Sequence, residues 1–317
     1  MTRAKFITAF CALAMIAGAS SGARAQDTLK VAIPQRGAWD AGVADLGQRG
    51  GIFKKHGLNL EILYVQAGPE SIQALIGGSI DVATASGVSA AVGTFAKGAP
   101  IRIIGSEMIG GPDLYWYVPA SSPIQIVEDF NGKTVAYSLT GSSSHAALLA
   151  LIAQYKLIAK PTSTGNIAAT ITSTMTGQVD VGFGAAPFGL DLAEAGKIRI
   201  IATGNDVASL RTRSVRVNLT NVNTLQNRRD AIVRFNRAYQ ETVDWMYSDP
   251  AALKHYGEYS NLPEKIVLRV LKLIPKASMT TARVEGIDQI MADAVAGKFI
   301  PAPLTAEQVR ELVQIPK

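Results

Sequence analysis

The sequence predicts an α/β fold made of two similarly built lobes. Short apolar, β-branched runs alternate with helix-like runs, the alternation occurs in two blocks, and short motifs recur from one block to the next in the same order. Such alternation is typical of βαβ units, in which helices cover a mostly parallel sheet. The 317 residues are 48% hydrophobic and 18% charged, which excludes a disordered chain and supplies apolar material for a core.

The first block begins close to the N-terminus and ends near residue 104. Strands are expected where Val, Ile and Leu cluster in short runs, and helices where apolar residues recur at helical spacing. The predicted strands are 29–33, 58–65, 82–85 and 101–104, and the helices between them are 38–48, 70–76 and 88–97.

The second block repeats this pattern, and the chain then becomes almost wholly helical. After about Asn221 the longest helix-like run is 229–247, which Asp249 and Pro250 end. The predicted strands of the second block are 134–137, 181–184 and 198–203, and its helices are 143–155, 166–175 and 187–195.

Internal matches indicate that the two blocks form two related lobes. The sequence GSIDV at 78–82 recurs as GQVDV at 177–181, and IRII at 101–104 recurs unchanged at 198–201. A looser match joins KVA near the first strand to TVA at the start of the second block. Three matches in the same order at similar separations favour two similarly built lobes over chance.

Loops that follow the strands are expected to carry the functional site. Ligands of open parallel sheets bind beyond the carboxyl ends of the strands, and two such edges facing each other form a cleft that closes by hinge motion. Segments 115–119 and 213–219 are the candidate crossovers between the lobes, and they return the C-terminal helices to the first lobe. The ligand-binding residues predicted from these loops are Gln35, Arg36, Trp39, Ser86, Gly87, Thr140, Gly141, Ser142, Ser143, Ser144, Phe183 and Phe188.

The segment 140–144 opens a predicted helix with small polar residues. Backbone N–H groups and hydroxyls at a helix start suit a carboxylate, a sulfonate or another oxyanion. The alternative is that one serine caps the helix, although three consecutive serines exceed what a cap requires.

Three aromatic residues and one arginine in these loops have two interpretations each. Arg36 could hold an anion through its guanidinium group, or it could be an exposed surface residue. Trp39 could form an aromatic wall of the cleft, or it could belong to the core, and the same two interpretations apply to Phe183 and Phe188.

The N-terminal segment has the pattern of a removable signal peptide. Arg3 and Lys5 form a basic start, and the apolar stretch 6–18 is too short to span a bilayer. An A-x-A sequence that ends at Ala25 predicts cleavage there. The mature chain would then begin at Gln26 and be exported to the periplasm.

Removal of this segment changes both the charge and the cysteine content. The net charge of +6 would fall to +3, because Arg3, Lys5 and Arg24 would be lost. Cys11, the single cysteine, would be lost as well, which excludes a disulfide, a thiol nucleophile and a cysteine-based metal site in the mature chain. Without a patch of basic residues interleaved with aromatic ones, nucleic acid is not an expected partner.

Sequence patterns of an enzyme are weak. His56, His145 and His255 are far apart, and no metal-binding pair of histidines or cysteines, nucleophile elbow or phosphate-binding loop is present. We therefore predict no catalytic residue, no metal site and no cofactor. One alternative is an exported hydrolase or lyase that uses Ser143 or His145, and another is a receptor that signals to a membrane sensor.

Several ordered motifs carry a family resemblance. They are GGIFKKHGL at 50–58, GSIDV at 78–82, DFNGKTVA at 129–136 and the segment 177–184. With these motifs, the chain resembles the sulfonate, taurine and nitrate group of periplasmic solute-binding proteins, which supply ABC importers. It is also similar to their relatives that bind pyrimidine precursors of thiamine.

The resemblance implies a type II periplasmic-binding fold with a ligand cleft between two lobes. It implies ligand contacts in the loops 35–39, 68–70, 86–89 and 141–144, and so adds Gly68 to the predicted site. The expected domain limits are a signal peptide at 1–25, lobe one at 26–116 and 217–317, and lobe two at 117–216.

The implied function is capture of a small organic solute and its delivery to an inner-membrane permease. The serines and Arg36 favour an anionic solute, such as a sulfonate or a carboxylate. Sulfonate, aromatic carboxylate, nitrate and a neutral pyrimidine all remain open at this point. The protein is expected to be a monomer.

Overall fold

A computed structural model describes residues 26–317, so the predicted signal peptide and Cys11 lie outside the described residues. Strands and helices alternate up to Asn221, and helices follow from there on. The strands are β1 (Asp27–Pro34), β2 (Leu58–Val65), β3 (Val82–Gly87), β4 (Ile101–Ile109), β5 (Leu114–Pro119), β6 (Thr134–Tyr137), β7 (Lys160–Ser163), β8 (Gly182–Ala185), β9 (Ile198–Thr203) and β10 (Ser214–Asn221).

The helices occupy most of the remaining chain. The α-helices are α1 (Val43–Arg49), α2 (Ile52–Lys55), α3 (Gly68–Ile76), α4 (Val88–Ala96), α5 (Ser143–Tyr155), α6 (Ile167–Met175), α7 (Leu190–Glu194), α8 (Val222–Asn227), α9 (Arg229–Ser248), α10 (Pro250–Ser260), α11 (Glu264–Leu273), α12 (Ile287–Ala296) and α13 (Ala306–Leu312). Short 3-10 helices lie at Val127–Phe130, Gly204–Asp206, Ala208–Leu210 and Lys276–Ser278.

The first lobe is built on a five-stranded mixed sheet. Its strand order is β2-β1-β3-β10-β4, in which β1 runs parallel to β2 and β3. Strand β10 lies between β3 and β4 and is antiparallel to both. The prediction of a crossover at 213–219 is therefore wrong, because this segment returns from the second lobe and enters the sheet in the reversed direction.

The second lobe contains two smaller sheets that a single bridge connects. Strand β5 is the centre of the sheet β8-β5-β9 and is antiparallel to both neighbours, while β6 and β7 are parallel. An isolated parallel bridge joins Val135 to Val181. Segment 115–119 is thus not a crossover either: its residues pair on both sides and form the middle strand of this lobe.

The two crossovers lie a few residues before the predicted domain limits. The chain leaves the first sheet after Ile109 and starts β5 at Leu114, and it returns between Thr203 and Ser214. Limits at 116/117 and 216/217 would divide β5 and β10. The architecture is α/β, with two lobes joined by two crossovers.

The C-terminal helices pack on the first lobe. Phe235 and Tyr239 of α9 are buried in the cluster that contains Phe53 of α2, with ring centroids of Phe53 and Phe235 5.5 Å apart. Ile290 of α12 joins a second cluster with α3 and α4, including Val92. A separate core fills the second lobe.

Most predicted elements appear near their predicted positions, and α1 is the clearest exception. The helix begins at Val43 instead of residue 38, because the preceding residues form turns in which Gln35 (φ 56°) and Gly37 (φ 99°) adopt left-handed backbone conformations. None of the helices between residues 26 and 317 has both the length and the apolar character that a bilayer span requires.

Candidate functional site

The lobes meet around a cavity at the carboxyl ends of strands from both lobes. Pro34 and Gly87 end β1 and β3 on one side, and Ser138 follows β6 on the other. The cavity measures about 40 Å³, which is room for a few water molecules. Its position is the one that open α/β sheets use for ligands.

Seven of the residues predicted for the site line this cavity. They come from three segments of the first lobe and from two segments of the second lobe, as the predicted cleft required. They are Gln35, Gly68, Gly87, Ser142, Ser143, Ser144 and Phe183.

The other six predicted residues lie outside it. Arg36 and Phe188 line a neighbouring groove with Tyr64, and Thr140 and Gly141 line a separate pocket beside His145. Ser86 and Trp39 are buried and do not line any of these spaces among the described residues.

Trp39 is a core residue and not a wall of the cleft. Its ring makes edge contacts with Tyr247 and Tyr256, with centroids 5.7 and 4.7 Å apart. Its Nε1 donates a hydrogen bond of 2.9 Å to the Tyr247 hydroxyl. The indole thus has both an apolar environment and an acceptor, which is how buried tryptophans are usually satisfied.

Arg36 is not positioned opposite the serines. Its guanidinium carbon lies 5.1 Å from the centre of the Tyr64 ring and 5.9 Å from that of Tyr259. These are cation–π distances, so the two tyrosines hold the arginine at the outer groove. Arg36 therefore does not contribute to the cavity that residues 142–144 line.

The three consecutive serines at the start of α5 have different roles. Ser142 is the N-cap, and its hydroxyl accepts a hydrogen bond of 3.1 Å from the His145 backbone N–H. The Ser144 hydroxyl bonds to that of Ser138 at 3.0 Å, which ties the helix start to the end of β6. Ser143 neither caps the helix nor bonds to Ser138, and its hydroxyl accepts a hydrogen bond from Arg216 at 3.2 Å. The first N–H groups of α5 have no partner within the helix.

Arg216 of β10 joins the two lobes at the cavity. Its Nη1 donates to Asp40 Oδ2 at 3.0 Å, and its Nη2 donates to Asp113 Oδ2 at 2.7 Å. The Nη1 also donates to Met108 Sδ at 3.1 Å, and the Nε donates to Ser143. Sequence reasoning missed all three charged residues, although each of them lines the cavity.

A third carboxyl group lies behind this network. Glu107 of β4 is buried, and neither of its carboxyl oxygens has a hydrogen-bond partner within residues 26–317. Burial raises the pKa of Glu107 well above its usual value, the charge of Asp40 raises it further, and Arg216 opposes both. Burial also raises the pKa of Asp40, again against the effect of Arg216. These conditions favour the protonated, neutral form of Glu107.

One sequence signal could have revealed the network. In β10 polar residues alternate with apolar ones, which usually indicates a strand with one face in water. Here β10 has a strand on each side and its polar residues are buried. Polar alternation in a central strand therefore indicates a buried polar cluster. The residues concerned are Ser214, Arg216, Asn218 and Thr220.

Ser143 and His145 do not form a catalytic pair in this arrangement. The His145 Nδ1 accepts from the Gly141 backbone N–H at 3.2 Å, and the ring stacks on Tyr137 with centroids 4.2 Å apart. Burial lowers the pKa of His145. Among residues 26–317 there is no cluster of three or more histidine, cysteine or acidic side chains that could hold a metal ion.

The lobes also touch beside the cavity. Asn166 of the second lobe donates to the Gln66 side chain of the first at 3.0 Å. A Cβ atom added to Gly87 would lie 2.9 Å from the backbone nitrogen of Ser143. The structure therefore shows the lobes closed against each other, with the cavity between them.

Comparison with protein families gives one match that covers most of the chain. The family model described as "NMT1/THI5 like" matches residues 46–253. This span begins in α1 and ends in α10, so it contains both crossovers and most of the residues that line the cavity, although Gln35 and Asp40 lie before it. No curated protein sequence matches the chain.

Solved structures of periplasmic binding proteins share the fold. The periplasmic aliphatic sulphonate binding protein SsuA from Escherichia coli is 20% identical, with a TM-score of 0.72 and coverage of 92% of each chain. The alkanesulfonate-binding protein SsuA from Xanthomonas axonopodis pv. citri, bound to MOPS, is 21% identical, with a TM-score of 0.74 and coverage of 91% of this chain and 98% of that one.

A third relative has a different ligand in its name. The periplasmic nitrate-binding protein NrtA from Synechocystis PCC 6803 is 11% identical, with a TM-score of 0.70 and coverage of 90% of this chain and 86% of that one. The likeness to all three extends over nearly the whole chain, and it establishes the periplasmic-binding fold.

Proposed function

We propose that this chain, which belongs to the NMT1/THI5-like family, is the solute-binding component of an ABC importer. It captures a small organic solute between its lobes and delivers it to an inner-membrane permease. The protein works in the periplasm, after export and cleavage behind Ala25.

The observation that carries this proposal is the cavity between the lobes. Both lobes contribute polar groups to it, among them Gln35 from the first and Ser143 from the second. In the closed arrangement described above, these groups line one cavity. A small molecule that binds there gains contacts from both lobes at once, which couples binding to closure.

A solute screen on the mature protein tests the binding function. We expect at least one small organic solute to raise the melting temperature of the chain that begins at Gln26. At a concentration 100 times the dissociation constant, such a ligand stabilises the folded state by about 2.7 kcal/mol. The solute should be recovered unchanged by mass spectrometry, and its turnover would favour the hydrolase or lyase alternative instead.

Uptake in the native host tests the transport function. We expect deletion of the gene to abolish uptake of the radiolabelled solute, and the intact gene to restore it. As a control, a gene without the segment 1–25 should produce a protein that binds the solute but does not restore uptake. Normal uptake without the protein would contradict the proposal.

A further inference from the structure

We propose, on the basis of the solute-binding function proposed above, that the cleft binds a solute with a positively charged nitrogen group. The group is an ammonium, amidinium or guanidinium, and it binds to Asp113 and Asp40, which line the cavity. This differs from the anionic solute that the serines and Arg36 suggest in the sequence.

The first argument is the charge of the cavity wall. The charged side chains among the described residues that line it are Asp40, Asp113 and Arg216, which sum to one excess negative charge. All three are buried. An uncompensated buried charge is costly, so a cation restores balance and a second anion increases the cost.

The second argument is that Arg216 is already engaged. A guanidinium group has five N–H donors, and this one donates to Asp40, Asp113, Met108 and Ser143. Only one N–H of the guanidinium is left by these contacts, so an anionic head group could form a bidentate contact only by displacing a partner. The arginine therefore positions the two carboxylates and does not act as an anion clamp.

The third argument is the free oxygen of Asp113. Its Oδ2 accepts from Arg216, whereas its Oδ1 is buried and has no hydrogen-bond partner within the described part of the chain. The side chain is 1% exposed. A buried carboxylate oxygen without a donor is unfavourable, and a cationic N–H group supplies the missing donor.

The start of α5 does not reverse this preference. A helix N-terminus carries roughly half a positive charge, which is less than the full excess negative charge of the wall. It does favour an acceptor atom elsewhere on the solute, close to Ser143. A solute with a cationic nitrogen at one end and a polar acceptor at the other satisfies both sides of the cavity.

A thermal-shift screen of matched solutes tests the charge preference. Two pairs differ only in an amino group, taurine against ethanesulfonate and β-alanine against propionate. In a third pair, benzamidine against benzoate, a carboxylate replaces the amidine. The pairs belong to a larger set of amines, amidines, anions and neutral heterocycles. We expect all solutes that stabilise the protein to contain a cationic nitrogen. If anions or neutral solutes without this group stabilise it, the inference is wrong and the solute-binding function still stands. If no solute in this broad set binds, the result contradicts the proposed solute-binding function itself, and not only the charge preference.

A substitution at Asp113 tests the site itself. For the solute that binds most tightly, we expect Asp113→Asn to weaken binding at least tenfold, while the matched control Asp288→Asn, on the exposed surface of α12, leaves it unchanged. Asp40→Asn gives a second test if the first variant does not fold. Unchanged affinity in a folded Asp113→Asn or Asp40→Asn variant overturns the assignment of the cation to these carboxylates.

Discussion

Glu107 is a buried acid without a hydrogen-bond partner inside the described chain. Asp40, Asp113 and Arg216 are close enough for their charges to act on its pKa, and burial is the largest effect. Because the pKa is raised, the folded protein holds this proton more tightly than the unfolded chain does. Stability contributed by the proton is therefore complete at low pH and is lost as the pH rises from the unfolded value, about 4.3, toward the folded value.

Replacing Glu107 with glutamine should remove this pH dependence. We expect the free energy of unfolding of the parent to fall with increasing pH relative to that of Glu107→Gln, by up to about 1.4 kcal/mol per pH unit within this window. Urea unfolding at pH 5, 6 and 7 measures the difference.

The control for this prediction is Glu61→Gln, which changes an exposed glutamate of β2. Its pH profile should follow that of the parent. If Glu107→Gln does so as well, Glu107 is ionised in the folded protein, and its charge must be compensated by a group other than those described above.

The contacts between the charged residues are the part of the site that the sequence does not predict. Arg216 and Asp113 are 103 positions apart, and Arg216 and Asp40 are 176 apart. No local pattern joins residues at such distances, since only the pairing of β10 between β3 and β4 brings Arg216 to the cavity. The loop that contains Ser142 was found because small polar residues before a helix are a local signal.

At the scale of elements, α5 presents its N-terminus to the cavity. The helix extends over Ser143–Tyr155, as its sequence predicted, and Ser142 caps it. This assignment separates two functions that the sequence could not separate. Ser142 caps the helix, whereas Ser143 lines the cavity, where its hydroxyl accepts from Arg216.

Alanine substitutions at these two positions should therefore have different effects. Ser142→Ala should lower the free energy of unfolding by about 1 kcal/mol, because the His145 N–H loses its acceptor. Ser143→Ala should change it by less than about 0.5 kcal/mol, and should weaken solute binding by about tenfold, as expected for a lost hydrogen bond to a charged or polar group.

Chemical unfolding and titration calorimetry on both variants test this division. Each variant is the control for the other, since both remove one hydroxyl from the same helix start. A larger loss of stability for Ser143→Ala than for Ser142→Ala would mean that Ser143 is the functional cap.

The sequence predicts an element correctly where its hydrophobic pattern is local. It fails where the role of a strand depends on which of the sheets the strand joins. The β2 strand and α5 have the predicted limits, because apolar clustering and helical spacing are properties of adjacent residues. The sequence predicts crossovers at the positions of β5 and β10, because nothing in a short apolar run specifies which sheet it joins. The short strand β7 at Lys160–Ser163 is exposed along much of its length and has no apolar pattern to predict it.

At the scale of the whole molecule, closure depends on a close approach between the two lobes. Gly87 ends β3 in the first lobe, and Ser143 starts α5 in the second. The backbone of Gly87 (φ −59°, ψ 126°) is accessible to any residue, so glycine is not required there for its conformation. The missing side chain matters because a Cβ would lie 2.9 Å from the Ser143 nitrogen and 3.3 Å from the Ser142 carbonyl carbon.

Gly87→Ala should therefore oppose closure without disturbing the separate lobes. Overpacking of this kind costs roughly 1–3 kcal/mol, which corresponds to a loss of solute affinity of about 5- to 150-fold. The free energy of unfolding without solute should change by less than about 0.5 kcal/mol if the lobes are apart in that state.

The control is Gly257→Ala in α10, where an added Cβ would lie 3.7 Å from its nearest neighbour, the Leu262 carbonyl oxygen. In X-ray scattering, saturating solute should reduce the radius of gyration of the parent and of the control, and reduce that of Gly87→Ala less at the same concentration. If Gly87→Ala binds and contracts like the parent, the lobes of the liganded protein do not meet at this glycine, and the closed arrangement described here is not the one that holds the solute.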